Sequence, residues 1–114
     1  MALVEVRRYS DILEKRVGLH LILPEVGQPP YPVLYLLHGL SDDYTGWVRK
    51  SRLEHHLRET PLIVVMPDGF RSWYTPNHRG PDYATYLAVE TVDYVDRFFA
   101  TRPDGSNRSI GGLS

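Results

Sequence analysis

Apolar and charged residues alternate along residues 3–9 and again along 16–23, where the pattern stops at Pro24. A period of two turns one face to a core and the other to water, so both segments are predicted strands. Their connection near Ser10-Asp11 makes them an antiparallel hairpin. Gly27-Gln28-Pro29-Pro30 reads as a loop. Val33–Leu37 breaks the alternation and is apolar throughout, which suits a strand buried on both faces of a parallel sheet. Residues 62–66 repeat that character. Between the two runs, Ser51-Arg52-Leu53-Glu54 fits a capping box, in which the serine and the glutamate satisfy each other's free backbone donors. Leu53 and Leu57 give that helix its buried stripe, and Pro61 forbids its continuation.

Residues 67–81 form a long loop rich in Pro, Gly and aromatic side chains, and loops of that length inside a domain are often functional. Asp82 then caps a predicted helix running to about residue 100. Ala84, Ala88, Val92, Val95 and Phe99 share its apolar stripe, and Glu90, Asp93 and Arg97 lie opposite. Asp104-Gly105 is a turn, and 109–112 enter a last strand. After the hairpin the order alternates strand and helix. The predicted class is therefore α/β, an antiparallel hairpin leading into a mostly parallel sheet with flanking helices. Right-handed crossovers place the strands entered at Val33 and Ser109 side by side. Gly39-Leu40 and Ser114 then meet at one crevice, the usual ligand position of open α/β sheets.

A chain of 114 residues, 42% hydrophobic and 24% charged, is sized and composed for one globular domain. Its formal charge of -1 gives no reason to expect nucleic acid or an anionic membrane as a partner, and Arg7-Arg8 and Arg49-Lys50 are pairs rather than patches. The absence of cysteine excludes disulfides, thiolate metal sites and a cysteine nucleophile. Residues 1–8 lack a charged start followed by a long apolar stretch, so no secretion signal is read there, and a cytoplasmic location is expected. The apolar run 62–67 is far too short to span a bilayer.

The chemistry is concentrated at two turns. Gly112-Leu113-Ser114 supplies the first three positions of the G-x-S-x-G nucleophile elbow, a sharp strand-to-helix turn that exposes a serine hydroxyl. His38-Gly39-Leu40 ends the first buried strand. A turn there can aim a backbone N–H, that of Leu40, at the carbonyl oxygen of a bound ester. Losing one such donor costs roughly 10²–10³ in rate. A His-Gly pair after an apolar strand also serves as a plain structural turn; the serine elbow one crossover later favours the donor reading. Trp73 and Tyr74 either wall an acyl or alcohol pocket or pack onto the sheet. Trp47 reads as core. His20, His55, His56 and His38 read as surface or hydrogen-bonded structural groups, with His78 the one placed to approach the crevice. Asp68 reads as the holder of the Pro67-Asp68-Gly69 turn rather than as a triad acid. Asp42-Asp43 reads as a helix-capping or solvated pair, and no metal-ligand spacing is present.

Val33-Leu34-Tyr35-Leu36-Leu37-His38-Gly39-Leu40-Ser41 with Trp47, Val64-Val65-Met66-Pro67-Asp68-Gly69 with Ser72-Trp73-Tyr74-Thr75, and Arg108-Ser109-Ile110-Gly111-Gly112-Leu113-Ser114 occur in this order. Together they resemble the esterase branch of the α/β-hydrolases, which includes tributyrin-type esterases, S-formylglutathione hydrolases, feruloyl and acetyl-xylan esterases and mycolyltransferases. The likeness runs over essentially the whole chain, with Gly111 where a slightly larger small residue is usual. It implies a serine carboxylesterase acting on small-molecule esters through an acyl-enzyme. Ser114 is then the nucleophile, and Leu40 and the residue after the serine form the oxyanion hole. Gly39, Trp73 and Tyr74 are the expected substrate contacts. No cofactor or metal is implied.

The resemblance puts the catalytic acid and histidine downstream of the elbow, so residues 1–114 are expected to be the N-terminal portion of a single α/β-hydrolase domain. By themselves they are expected to be inert. The serine has no base, one oxyanion donor is missing, and the Ser114 carboxylate sits where negative charge must develop. The last strand is expected to be a free sheet edge, a route to self-association. Acyl transfer and thioester hydrolysis share the same intermediate and stay open. A non-catalytic binding module that kept the sheet and lost the triad is the alternative of a different class.

Overall fold

The computed structural model describes residues 1–38, 43–68, 85–102 and 108–112. Strand β1 (Ala2–Ser10) and strand β2 (Lys15–Leu23) form the expected hairpin, with Ala2 opposite Leu23 and Ser10 opposite Lys15. β3 (Val33–Leu37) and β4 (Ile63–Pro67) are the two continuous apolar runs, and β5 (Arg108–Gly112) is the last strand. The five strands lie in the order β1-β2-β4-β3-β5. β2 meets β4 antiparallel, whereas β4, β3 and β5 run parallel. As predicted, the strands entered at Val33 and Ser109 are neighbours.

The sheet has an apolar layer on each face. On one face Leu19, Leu21, Val33, Tyr35, Ile63 and Val65 pack with Leu87 and Val95 of the long helix. On the other, Ile22, Val64 and Met66 pack with Trp47, Leu53 and Leu57. Every residue of β4 is buried, which is why its sequence shows no alternation. Trp47 is half-buried in that second layer, in keeping with its reading as a core residue. Among the described residues no helix is long and apolar enough to cross a membrane.

Two helical expectations are corrected. A short helix α1 (Gly46–Lys50) precedes α2 (Leu53–His56), and the capping box does not form. Arg52 is the N-cap of α2 and makes no side-chain capping bond. Ser51 instead closes α1: its hydroxyl donates to the Trp47 carbonyl and accepts the Leu53 N–H at 3.2 Å. The serine's acceptor bond goes to Leu53, the first residue of α2, and the helix starts one residue later than the capping box requires.

Among the described residues the long helix carries a π-helical segment (Tyr86–Thr91), entered from Thr85 in helical conformation, and continues as α3 (Val92–Phe98). Wider π turns shift the phase of the faces. Tyr86, Leu87, Thr91 and Val95 are therefore the buried positions, while Ala88, expected on the inner stripe, is exposed. Glu90, expected on the outer face, is turned towards the hairpin with its side chain only 13% exposed. Its Oε1 accepts from Arg8 at 3.1 Å and from the Ser10 hydroxyl, and its Oε2 accepts the Ile12 N–H at 3.0 Å.

Burial by itself would raise the Glu90 carboxyl, but the bonds from Ser10, Ile12 and Arg8 outweigh it and hold the group below its usual 4.5. A depressed folded-state value means the clamp contributes fully above the ordinary carboxylate value and fades as pH falls through the lower folded one. Glu90→Ala is expected to cost about 1–3 kcal/mol by leaving half-buried donors unmatched. Urea unfolding between pH 7 and pH 3 checks this. Wild type should lose stability on the acid side, and Glu90→Gln should flatten that loss.

Candidate active site

The parallel strands end together, and the residues at those ends define the site. β3 and β5 stay in register along their whole length, with Val33 opposite Arg108 and Leu37 opposite Gly112. A Cβ placed on Gly112 would stand 2.9 Å from the Leu37 carbonyl oxygen and 3.0 Å from the Leu37 Cβ. Only glycine lets the two strand ends approach this closely. Gly112 lies two residues before Ser114, and Leu37 lies two residues before Gly39. The register therefore brings the described ends of the two strands, Leu37 and Gly112, to the same edge of the sheet.

The end of β3 is held by side chains as well. The Trp47 indole N–H, reaching back from α1, donates to the Leu37 carbonyl at 2.9 Å. His38 follows, its side chain 2% exposed, with Nε2 3.4 Å from Oδ1 of Asp68, the residue just after β4. The sequence reading put His38 in the turn and Asp68 at the next strand end without joining them. The signal for the pair was that each polar residue directly follows an apolar strand, and that these strands are sheet neighbours.

The segment entering α1 is anchored at a distance. Asp43 Oδ1 accepts the Thr45 N–H at 2.8 Å and the Thr45 hydroxyl at 2.5 Å, a local side-chain turn ahead of α1, whose N-cap is Thr45 rather than either aspartate of the Asp42-Asp43 pair. Tyr44 lies on the hairpin over Gly18, where an added Cβ would come within 2.5 Å of the ring. The Tyr44 hydroxyl donates to Glu5 Oε1 at 3.2 Å, and the His20 ring meets the Tyr44 ring edge-on at 4.9 Å. Hydrogen bonds from Arg7, His20 and Tyr44 hold the Glu5 carboxyl below its ordinary value despite some desolvation. Partial burial, reinforced by Glu5, pushes the Tyr44 hydroxyl up and keeps it a donor. His20 is thus a structural histidine, whereas His55 and His56 are exposed on α2.

Ser114, Leu40, Gly39, Trp73, Tyr74 and His78 lie outside the described residues, as do the rest of 69–84, with the expected Asp82 cap and Ala84, and the Asp104-Gly105 turn. Among the described residues no group of three or more His, Asp or Glu is placed to hold a metal ion.

A parallel core, a leading antiparallel hairpin and a glycine-tight strand end at the crevice define an α/β-hydrolase type of fold. The chain belongs to the esterase family described as "Putative esterase", whose model matches residues 10–114. It is similar to the fluorophosphonate-binding serine hydrolase F of Staphylococcus aureus, with TM-score 0.89 and 29% identity over 97% of this chain and 46% of that one. The S-formylglutathione hydrolase of Staphylococcus aureus gives TM-score 0.84 at 30% identity, again over 97% of this chain and 46% of that one. An acetyl esterase of Caldicellulosiruptor saccharolyticus is 26% identical over all of this chain and 47% of its own length. The chain spans about half the length of these relatives.

The Gly112 contact gives a direct test against its neighbour. Gly112→Ala is expected to cost about 1–3 kcal/mol, since backbone must move to admit the methyl group. Gly111→Ala should cost much less, because the nearest atom to its added Cβ is the tip of the Leu36 side chain at 3.7 Å. Urea midpoints of the two variants check the contrast.

Proposed function

We propose that this chain carries the nucleophile half of a serine carboxylesterase, with Ser114 attacking the ester carbonyl to form an acyl-enzyme. The observation that carries the reading is the pairing of Leu37 with Gly112, which sets the residues before Leu40 and before Ser114 side by side. Family membership supports the same chemistry. In this reading the Leu40 N–H and the N–H after the serine stabilise the oxyanion. Gly39, Trp73 and Tyr74 line the substrate, a small-molecule ester. The histidine that takes the serine proton and the acid that orients it come from residues following Ser114 in a longer polypeptide.

Acyl transfer and thioester hydrolysis use the same intermediate, and a panel of acceptors separates them from hydrolysis of a simple ester. For residues 1–114 alone we expect no turnover, and self-association through the outer edge of β5, where Ile110 is 67% exposed.

The test starts at the coding sequence beyond codon 114. An open frame supplying Gly-x-Gly-like residues, an aspartate and a histidine is expected, and its product should hydrolyse p-nitrophenyl acetate. Ser114→Ala should then lower kcat by roughly 10³-fold or more. A stop codon directly after Ser114, or full activity in the variant, would sink the proposal and favour a binding module.

A further inference from the structure

We infer that His38 and Asp68 are a positioning pair, which ties the end of β3 to the end of β4 two residues before the proposed oxyanion donor, the Leu40 N–H. The inference rests on the ester-hydrolase reading above and adds to it two residues that do not touch the substrate.

The sheet itself shows why a tie is needed. β3 and β4 are paired only from Val33 opposite Ile63 to Tyr35 opposite Val65. Beyond Tyr35 the register of β3 continues with β5 alone, through Leu36 opposite Gly111 and Leu37 opposite Gly112. The β3–β4 ladder therefore stops two residues before the strand ends, where Pro67 has no N–H to donate, and backbone hydrogen bonds no longer join the two ends. His38 and Asp68 face each other where the ladder has stopped, each the first residue after its strand, with Nε2 and Oδ1 3.4 Å apart. The His38 side chain is 2% exposed, and Asp68 keeps 24% of its surface open. A polar side chain buried so completely beside a carboxylate is held in orientation by it. The Trp47 N–H fixes the Leu37 carbonyl from the α1 side, so the last peptide of β3 is gripped just before the donor turn.

Catalysis is sensitive to such a grip. An oxyanion donor works at 2.7–3.1 Å from the developing charge, and a misplacement of about 1 Å costs on the order of 10²-fold. Removing the Asp68 carboxylate should let the end of β3 drift, lowering the rate of the chemical step while leaving substrate affinity nearly intact.

Two measurements test the pair. In the complete gene product, kcat is taken per serine titrated with a fluorophosphonate at end point. Asp68→Ala is expected to lower it by about 10–100-fold, with KM within about threefold of wild type. Asp68→Asn, which keeps an oxygen to accept from Nε2, should recover most of the loss. If Asp68→Ala gives no folded protein, Asp68→Ser is read in its place. The second measurement is amide hydrogen exchange at Leu40 in the same complete product, expected to rise at least about tenfold in the same variant as the end of β3 loosens. Unchanged exchange, or an unchanged kcat per titrated serine, overturns the inference. A wild-type product that hydrolyses nothing sinks the esterase reading alone, and the exchange rates still decide the role of the pair.

Discussion

The contact of Gly112 with Leu37 is the constraint on which the rest of the structure turns. Parallel strands pair at a spacing that normally accommodates a side chain at every position. Here the carbonyl and Cβ of Leu37 occupy the space a Cβ on Gly112 would need. The approach is possible only without that atom, and it occurs at the C-terminal end, where α/β sheets bind ligands. Everything upstream serves to bring β3 and β5 there in register. The crossover through α3 returns the chain to the far edge of the parallel strands, and the apolar layers on both faces of the sheet hold it flat against its helices.

The other polar contacts fasten outlying parts to that centre. Glu90 ties the hairpin turn to the π-helical segment through Arg8, Ser10 and the Ile12 N–H. Tyr44 ties the chain entering α1 to the hairpin face through Glu5 and the bare backbone of Gly18. The hairpin thus braces both the helix on one face and the post-β3 segment on the other. It is the scaffold's outer wall, and it gives the strand ends of the crevice a fixed frame.

Much of this was legible from the residues. Alternation at 3–9 and 16–23 marked the hairpin, and unbroken apolar runs marked β3 and β4, because period and burial are local consequences of strand geometry. The β3–β5 adjacency followed from crossover handedness. The failures were of two physical kinds. The π turn moved Ala88 out and Glu90 in, because a stripe drawn at 3.6 residues per turn assumes a helix of uniform pitch. The capping box at Ser51 failed because α2 takes Arg52 as its N-cap, one residue late, while Ser51 ends an unforeseen helix, α1. The His38–Asp68 pair was missed for a third reason. Each residue was read within its own turn, and only the sheet order shows that the turns face each other. The proposed nucleophile and oxyanion donor, Ser114 and Leu40, rest on motif and resemblance and lie outside the described residues.

The central claim is that the ends of β3 and β5 build a serine nucleophile site. The most direct measurement is to treat the complete gene product with a fluorophosphonate and locate the adduct by peptide mass spectrometry. The account predicts a single adduct on Ser114, formed within the time of a few turnovers. An adduct on Ser109 or another serine, or none while the protein remains folded, would contradict it.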